Sequence, residues 1–183
     1  MSTATTKKTT WVIDPVHTTI EFAVKHMMVT TVRGRFGQVS GKIELDEEDL
    51  TRSSAEVTIP VASIDTREEQ RDAHLRSADF FDAENHPNMT FRTKNIERVG
   101  DDEYRVTGDL TIRGVTREVV LDARFEGRAK KPTGEEVIGL TASTAIDRQD
   151  FGLKWNVALE AGGFMVSNRV QISLDVQAIR QDT

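Results

Sequence analysis

Residues 169–177 read Arg-Val-Gln-Ile-Ser-Leu-Asp-Val-Gln, and their alternation decides the fold class. Val170, Ile172, Leu174 and Val176 fall on one side of an extended chain; Arg169, Gln171, Ser173, Asp175 and Gln177 fall on the other. Successive side chains of a strand point to opposite faces, so this stretch is a strand with one buried and one wet face. The same period recurs on moving outward. Ile20, Phe22 and Val24 share a face opposite Glu21 and Lys25. Further apolar sets are Val39/Ile43/Leu45, Val57/Ile59/Val61, Tyr104/Val106/Leu110/Ile112, Val119/Leu121/Phe125 and Ile138/Leu140/Ala142/Ile146, with Met89/Phe91 a shorter one. These sets amount to about eight strands separated by turn-type residues, which predicts an all-β antiparallel sandwich or barrel.

One helix interrupts the strands. Thr66-Arg-Glu-Glu69 fits a capping box, with Thr66 as N-cap and Glu69 reaching back, and the run Arg67 to Ala78 contains neither Gly nor Pro. Within Leu110-Thr-Ile-Arg-Gly-Val-Thr-Arg117, Gly114 stands where a hairpin needs positive φ. Residues 11–27 and 32–45 read as unusually long strands against a typical length of about five or six residues. Barrel diameter follows strand number, so longer strands lengthen the interior without widening it. Only 11 of 183 residues are aromatic, and many inward positions are Val, Ile, Ala, Thr or Gly. Small inward side chains favour a hollow centre.

Composition excludes several classes. The 24 Lys and Arg stand against 30 Asp and Glu, a net charge of -6, which argues against a nucleic-acid binder relying on a positive field. With no cysteine there is no disulfide, thiolate nucleophile or Cys-ligated zinc. No apolar run follows Lys7-Lys8, because Trp11-Val-Ile13 stops at Asp14-Pro15. The expected compartment is therefore the cytoplasm, with the periplasm or the exterior the alternative if a leader preceded Met1. Residues 1–10 read as a disordered tail, and residues 11–183 as one domain without linker or repeat.

Read in order, the segments resemble the YceI-like family of lipocalin-like, polyisoprenoid-binding proteins. The resemblance rests on Trp11-Val-Ile-Asp-Pro-Val-His17, Phe22-Ala-Val-Lys-His26, Val32-Arg-Gly-Arg-Phe36, Gly41, Ile64-Asp-Thr66 and Arg71-Asp-Ala-His-Leu75. It continues through Asp79-Phe-Phe-Asp82, His86-Pro87, Phe91, Gly108-Asp-Leu-Thr-Ile-Arg-Gly-Val-Thr116, Asp147-Arg148, Asp150-Phe-Gly-Leu153 and the last strand. It implies an elongated eight-stranded antiparallel barrel, one helix between strands 3 and 4, and a long apolar ligand with any polar head near the mouth. Isoprenoid transport or storage, a stress-response setting, a homodimer and transient contact with a membrane are all compatible with it. Many relatives carry a signal peptide for the periplasm, from which this chain departs.

The expected wall around the ligand tail is Ile20, Phe22, Val24, Val39, Ile43, Leu110, Ile112, Leu121, Leu140, Ala142, Ile172 and Leu174. Three residues are candidates for the head group. His26 has the parity of Ile20, Phe22 and Val24, and its charge is adjustable near neutral pH; the plainer reading is a core histidine satisfied by a carbonyl. Arg35 shares the parity of Val39, Ile43 and Leu45, which would set its guanidinium at the mouth to meet phosphate or carboxylate oxygens; the plainer reading is a solvated arginine paired with a surface acid. Arg33 has that parity too, but reads as a solvated arginine. Arg148 continues the inward parity of Ala142, Thr144 and Ile146 and is expected to form a salt bridge closing the barrel, or to meet the head group. Phe151, Trp155 and Phe164 flank Gly162-Gly163 and read as core or rim packing.

His17 and His26 are nine residues apart and project from opposite faces, while His74 and His86 lack the i, i+4 spacing of a helical zinc motif, so neither metal nor cofactor is expected. Gly-x-Ser-x-Gly, P-loop and Rossmann glycine patterns are absent. A non-catalytic lipid binder is the leading expectation. The alternative is a small hydrolase or isomerase using His, Arg or Asp groups at the tunnel mouth.

Overall fold

Alternating apolar faces can all be buried at once if the sheet curls until its last strand meets its first, and that is the architecture found. The computed structural model describes residues 8–160 and 162–181. Its elements are β1 (Lys8–Ile13), β2 (Thr19–His26), β3 (Thr30–Phe36), β4 (Ser40–Asp46), β5 (Ser54–Pro60), β6 (Ile64–Asp65), α1 (Glu69–Arg76), β7 (Asn88–Gly100), β8 (Glu103–Ile112), β9 (Val115–Lys130), β10 (Glu136–Asp147) and β11 (Val166–Gln181). The order β1-β4-β5-β7-β8-β9-β10-β11, with β11 pairing back onto β1, closes an eight-stranded antiparallel barrel. β11 serves two partners in succession, β1 through residues 178–181 and β2 through residues 166–175. The series β2-β3-β6 prolongs the wall beyond the closed ring.

Three of the eight staves are therefore broken strands. The stretches 11–27 and 32–45, expected as continuous, each come in two pieces. In the first, Pro15 lacks the N–H a ladder needs, and a single turn spans Pro15–His17. Asp14 caps it, accepting from Val16 N at 3.0 Å and holding His17 Nδ1 at 2.8 Å. The hydrogen bond from His17 keeps the Asp14 carboxyl below its ordinary range, against the opposing effect of burial. In the second, Gly37, Gln38 and Val39 separate β3 from β4 and shift the side-chain parity. The third stave, β5/β6, bends at Val61–Ser63.

Two further expectations are corrected. Lys8, Thr9 and Thr10 are strand residues paired with Asp46, Leu45 and Glu44, so they belong to the barrel and not to a tail; residues 1–7 lie outside the described residues. The helix is shorter than Arg67 to Ala78 and is not capped by Thr66. Arg67 takes a left-handed φ of 65°, which delays the helix, and Glu68 becomes the N-cap through its carboxylate and Arg71 N. The Thr66 hydroxyl instead donates to Asp72 and accepts from Arg71 Nε at 2.8 Å. α1 lies in the connection between the third and fourth staves, and Gly114 has a φ of +74° in the turn between β8 and β9.

Antiparallel connectivity sorts the connections to two ends. At the helix end lie the β2–β3 turn, the segment 66–87 with α1, the turn at Arg113-Gly114, and the connection 148–165. At the opposite end lie the segment 47–53, the turn at Asp101-Asp102, residues 131–135, and the outer ends of β1 and β11. Trp11 is 0 % exposed at this second end, packed with Ile43, Leu45, Ile138 and Ala178.

Candidate binding tunnel

The interior between the Trp11 cluster and the helix end is hollow. A cavity of about 320 Å³ runs there, within the roughly 300–1,000 Å³ typical of small-molecule sites. Side chains from all eight staves line it, together with Leu50, Leu75, Phe80, Phe81, Arg148 and Leu153 from the connections. All twelve positions expected on the inner wall, from Ile20 to Leu174, are among the lining residues. They meet there because a closed barrel turns every inward face of period two onto one axis.

Two glycines keep the bore open. A Cβ at Gly34 would collide with the Phe22 ring and with the Thr66 side chain, and one at Gly108 would collide with the Phe91 ring. Each ring lies over the bare backbone of the neighbouring strand where it lines the cavity.

Aromatic rings cap the tunnel at the helix end. Phe22 and Phe36 lie 5.6 Å apart between centroids, and Phe81 stands edge-on to Phe36 at 6.0 Å. Trp155 meets the His74 ring at 4.6 Å and the Phe80 ring at 5.4 Å, tying the connection after β10 to the segment carrying α1. Phe80 and Phe81 sit in an irregular segment where no periodicity marks an inner face, so strand reasoning overlooked them. The pair of adjacent aromatics in Asp79-Phe-Phe-Asp82 was the available signal. Phe151 is buried and Trp155 half-buried, whereas Phe164 is exposed.

The three head-group candidates separate. Arg148 is 3 % exposed and lines the cavity. Its expected salt bridge is not found: among the described residues no carboxylate lies within ion-pair distance. The guanidinium instead donates to four backbone carbonyls, from Nε to Ser167 O at 2.9 Å, from Nη1 to Trp155 O at 3.0 Å and to Leu153 O, and from Nη2 to Val166 O at 3.2 Å. Four of its five N–H donors thus pin the connection 153–167 across the barrel end. Burial pulls its pKa down, opposed by the charge of neighbouring Asp147.

Arg35 is a correction. Its side chain is 64 % exposed and faces Asp65 at 3.7 Å on the outer surface. The Gly37-Gln38-Val39 break is the reason, since it reverses the parity between β3 and β4, leaving Gly34 and Phe36 inside and Arg33 and Arg35 outside. His26 is half-buried on the face of Val24, but lies one step beyond the last β2 residue that lines the cavity, at the rim. Among the described residues, no three His, Asp or Glu side chains converge as a metal site.

The family model for the YceI-like domain matches residues 11–178. A UPF0312 protein of Staphylococcus epidermidis is 43 % identical over 165 residues, covering 90 % of this chain and 94 % of its own length. The crystal structure of BcnA of Burkholderia cenocepacia superposes with a TM-score of 0.77 at 24 % identity, covering 90 % of this chain and 98 % of its own. A polyisoprenoid binding domain from Saccharophagus degradans gives a TM-score of 0.67 at 15 % identity, covering 96 % and 100 % of the two chains.

Proposed function

This chain belongs to the YceI-like domain family, and from that premise and the shape of its interior we propose that it binds and carries a long-chain amphiphilic lipid of the polyisoprenoid kind. The observation that carries the reading is the apolar tunnel enclosed by all eight staves. The polyisoprenoid binding domain with the same fold supports the ligand class.

Tail burial supplies the affinity. Each methylene taken from water contributes about 0.8 kcal/mol before ordering costs, whereas one hydrogen bond to a charged group adds about 1.5–3 kcal/mol in all. The polar head is proposed to lie at the helix end, with His26 at the rim and the positive field of Arg148 above the tunnel. Arg35, on the outer wall, has no part in it, and Arg35→Ala is expected to leave binding unchanged.

Binding without turnover fits the wall better than catalysis does. The residues lining the cavity include no histidine, and their one acid, Glu21, is an exposed residue of β2 flanked by inward Ile20 and Phe22. General acid–base chemistry needs a positioned donor or acceptor within reach of the substrate. Native mass spectrometry of the purified chain, followed by lipid extraction, tests the proposal. A bound long-chain lipid, or uptake of an added linear prenol, is the expected result. A chain that carries no added mass and takes up no prenol would overturn it. Conversion of the bound prenol, lost in His26→Ala, would favour the hydrolase or isomerase reading.

A further inference from the structure

The β2–β3 turn, His26-Met-Met-Val29, breaks a local rule. Met27 and Met28 have φ of 56° and 64°, and Val29 N closes the turn on His26 O at 3.2 Å. Two successive left-handed residues make the hairpin turn that selects Asn-Gly or Gly-Gly, because a side chain there crowds the backbone. This chain puts two methionines in those positions. Both point to solvent, Met28 at 56 % exposure, and Val29 follows at 76 %.

A second exposed apolar segment is tied to this turn through the backbone. Met27 N donates to Met165 O at 2.8 Å, and Met165 N donates to Val157 O at 2.9 Å. Ala158 and Phe164 form a bridge beside them, and Gly163 lies against the Met28 side chain. Phe164 is 54 % exposed, and Val157 is exposed as well. Met27, Met28, Val29, Val157 and Phe164 therefore form one convex apolar tip at the helix end, above His26.

Charge says what covers it. Around the tip itself, residues 24–33 and 154–169 contain Lys25, Arg33, Lys154 and Arg169 but a single acid, Glu160, whereas the segment 66–87 at the same end carries six acids against three arginines. Lys25, Arg33, Lys154 and Arg169 are all exposed, and among the described residues none of them joins an ion pair. An apolar tip above a collar of free cations complements an anionic bilayer, whose head groups meet the collar while the tip enters the acyl boundary. A protein partner is a poorer fit, since a stable interface uses about 20–30 residues on each side and this convex tip offers five apolar side chains.

We propose that this tip docks the protein on anionic lipid membranes and holds the helix end of the tunnel against the bilayer surface. The inference goes beyond lipid carriage and stands or falls separately, because docking is read without reference to tunnel occupancy.

Flotation of the full chain with vesicles tests it. The chain is expected to float with phosphatidylglycerol/phosphatidylcholine vesicles, to stay behind with phosphatidylcholine alone, and to be released at about 0.5 M salt. M27N/M28G supplies the residues that the turn prefers, so it should fold at least as stably as the parent while losing vesicle binding about tenfold or more. Lys25→Glu with Arg169→Glu should abolish the preference for anionic vesicles. Failure of the parent chain to float, or flotation of M27N/M28G equal to the parent's, would overturn the proposal. So would a dimer in solution that M27N/M28G dissociates, since the tip would then be covered by a second copy. An empty tunnel by mass spectrometry with flotation intact would count against lipid carriage and leave docking standing.

Discussion

The two ends of this barrel are built from opposite materials. At the Trp11 end the connections are short, and the rim is laced by ion pairs: Arg128 holds Glu47 at 2.7 Å and Glu136 at 3.1 Å, and Arg180 holds Glu136 as well. Arg128 also lies 5.1 Å from the centre of the Trp11 ring, and the indole N–H donates to Thr9 Oγ1 at 2.8 Å. At the helix end two of the four connections, 66–87 and 148–165, are long, the buried cation has only carbonyl partners, and apolar side chains stand in solvent. One end is a floor that has every reason to stay shut. The other is a cover pinned by Arg148, by Arg113 and by the Trp155 contacts with His74 and Phe80, and on the proposed function it is the end through which the ligand passes.

This contrast can be tested by removing one support at a time. Trp11→Ala takes out the floor and should cost the most, about 3–5 kcal/mol of global stability, read from urea denaturation. Arg148→Ala orphans four carbonyls, at about 1–3 kcal/mol for each one left buried and unpaired. Because the freed connection can lift into water, the loss should fall below that of Trp11→Ala. It should appear as faster amide exchange over 153–167, with the floor still protected. If both variants loosened both ends equally, the division would be wrong.

Gly34→Ala acts between the ends. Its methyl must push the Phe22 ring into the bore, costing about 1–3 kcal/mol of stability and shortening the longest prenol retained by mass spectrometry. Unchanged prenol selectivity would show that the ring yields elsewhere.

The smallest effect is on acid stability. The hydrogen bond from Arg180 outweighs burial and holds the Glu136 carboxyl below its ordinary range. Burial would raise Glu47, but the hydrogen bonds from Arg128 and Thr9 win and lower it. A carboxyl with a depressed native pKa contributes stability above its unfolded value, and that stability is lost as pH falls through the native value. The Trp11 end should therefore loosen first below about pH 4. Glu136→Gln should flatten the acid limb of a urea-stability profile.

How much of this was legible beforehand depended on whether a residue's role followed from local period. Strand alternation placed Ile20, Phe22, Leu140 and Leu174 on the inner wall because facing is a property of the strand itself. The same rule misplaced Arg35, since parity carries across a strand only while the strand is unbroken, and the Gly37-Gln38-Val39 gap interrupts it. The capping box at Thr66 failed for a local reason: Arg67 takes a left-handed φ, and the Thr66 hydroxyl turns to Asp72 within α1. Arg148 was placed inward correctly, but its partners are backbone carbonyls on a connection that the sequence pattern leaves without structure. No exposed tip could be read from Met27-Met28 either, since two methionines after a strand look like its continuation.

From its residues alone, then, this chain determines an all-β barrel with an apolar bore, because period-two burial needs no knowledge of distant contacts. Which end is sealed, which arginine faces the tunnel, and which apolar residues are left in water were decided only on closure. Those properties depend on where three broken staves bend and on which carbonyls a buried guanidinium can reach. Both are set by neighbours far apart along the chain.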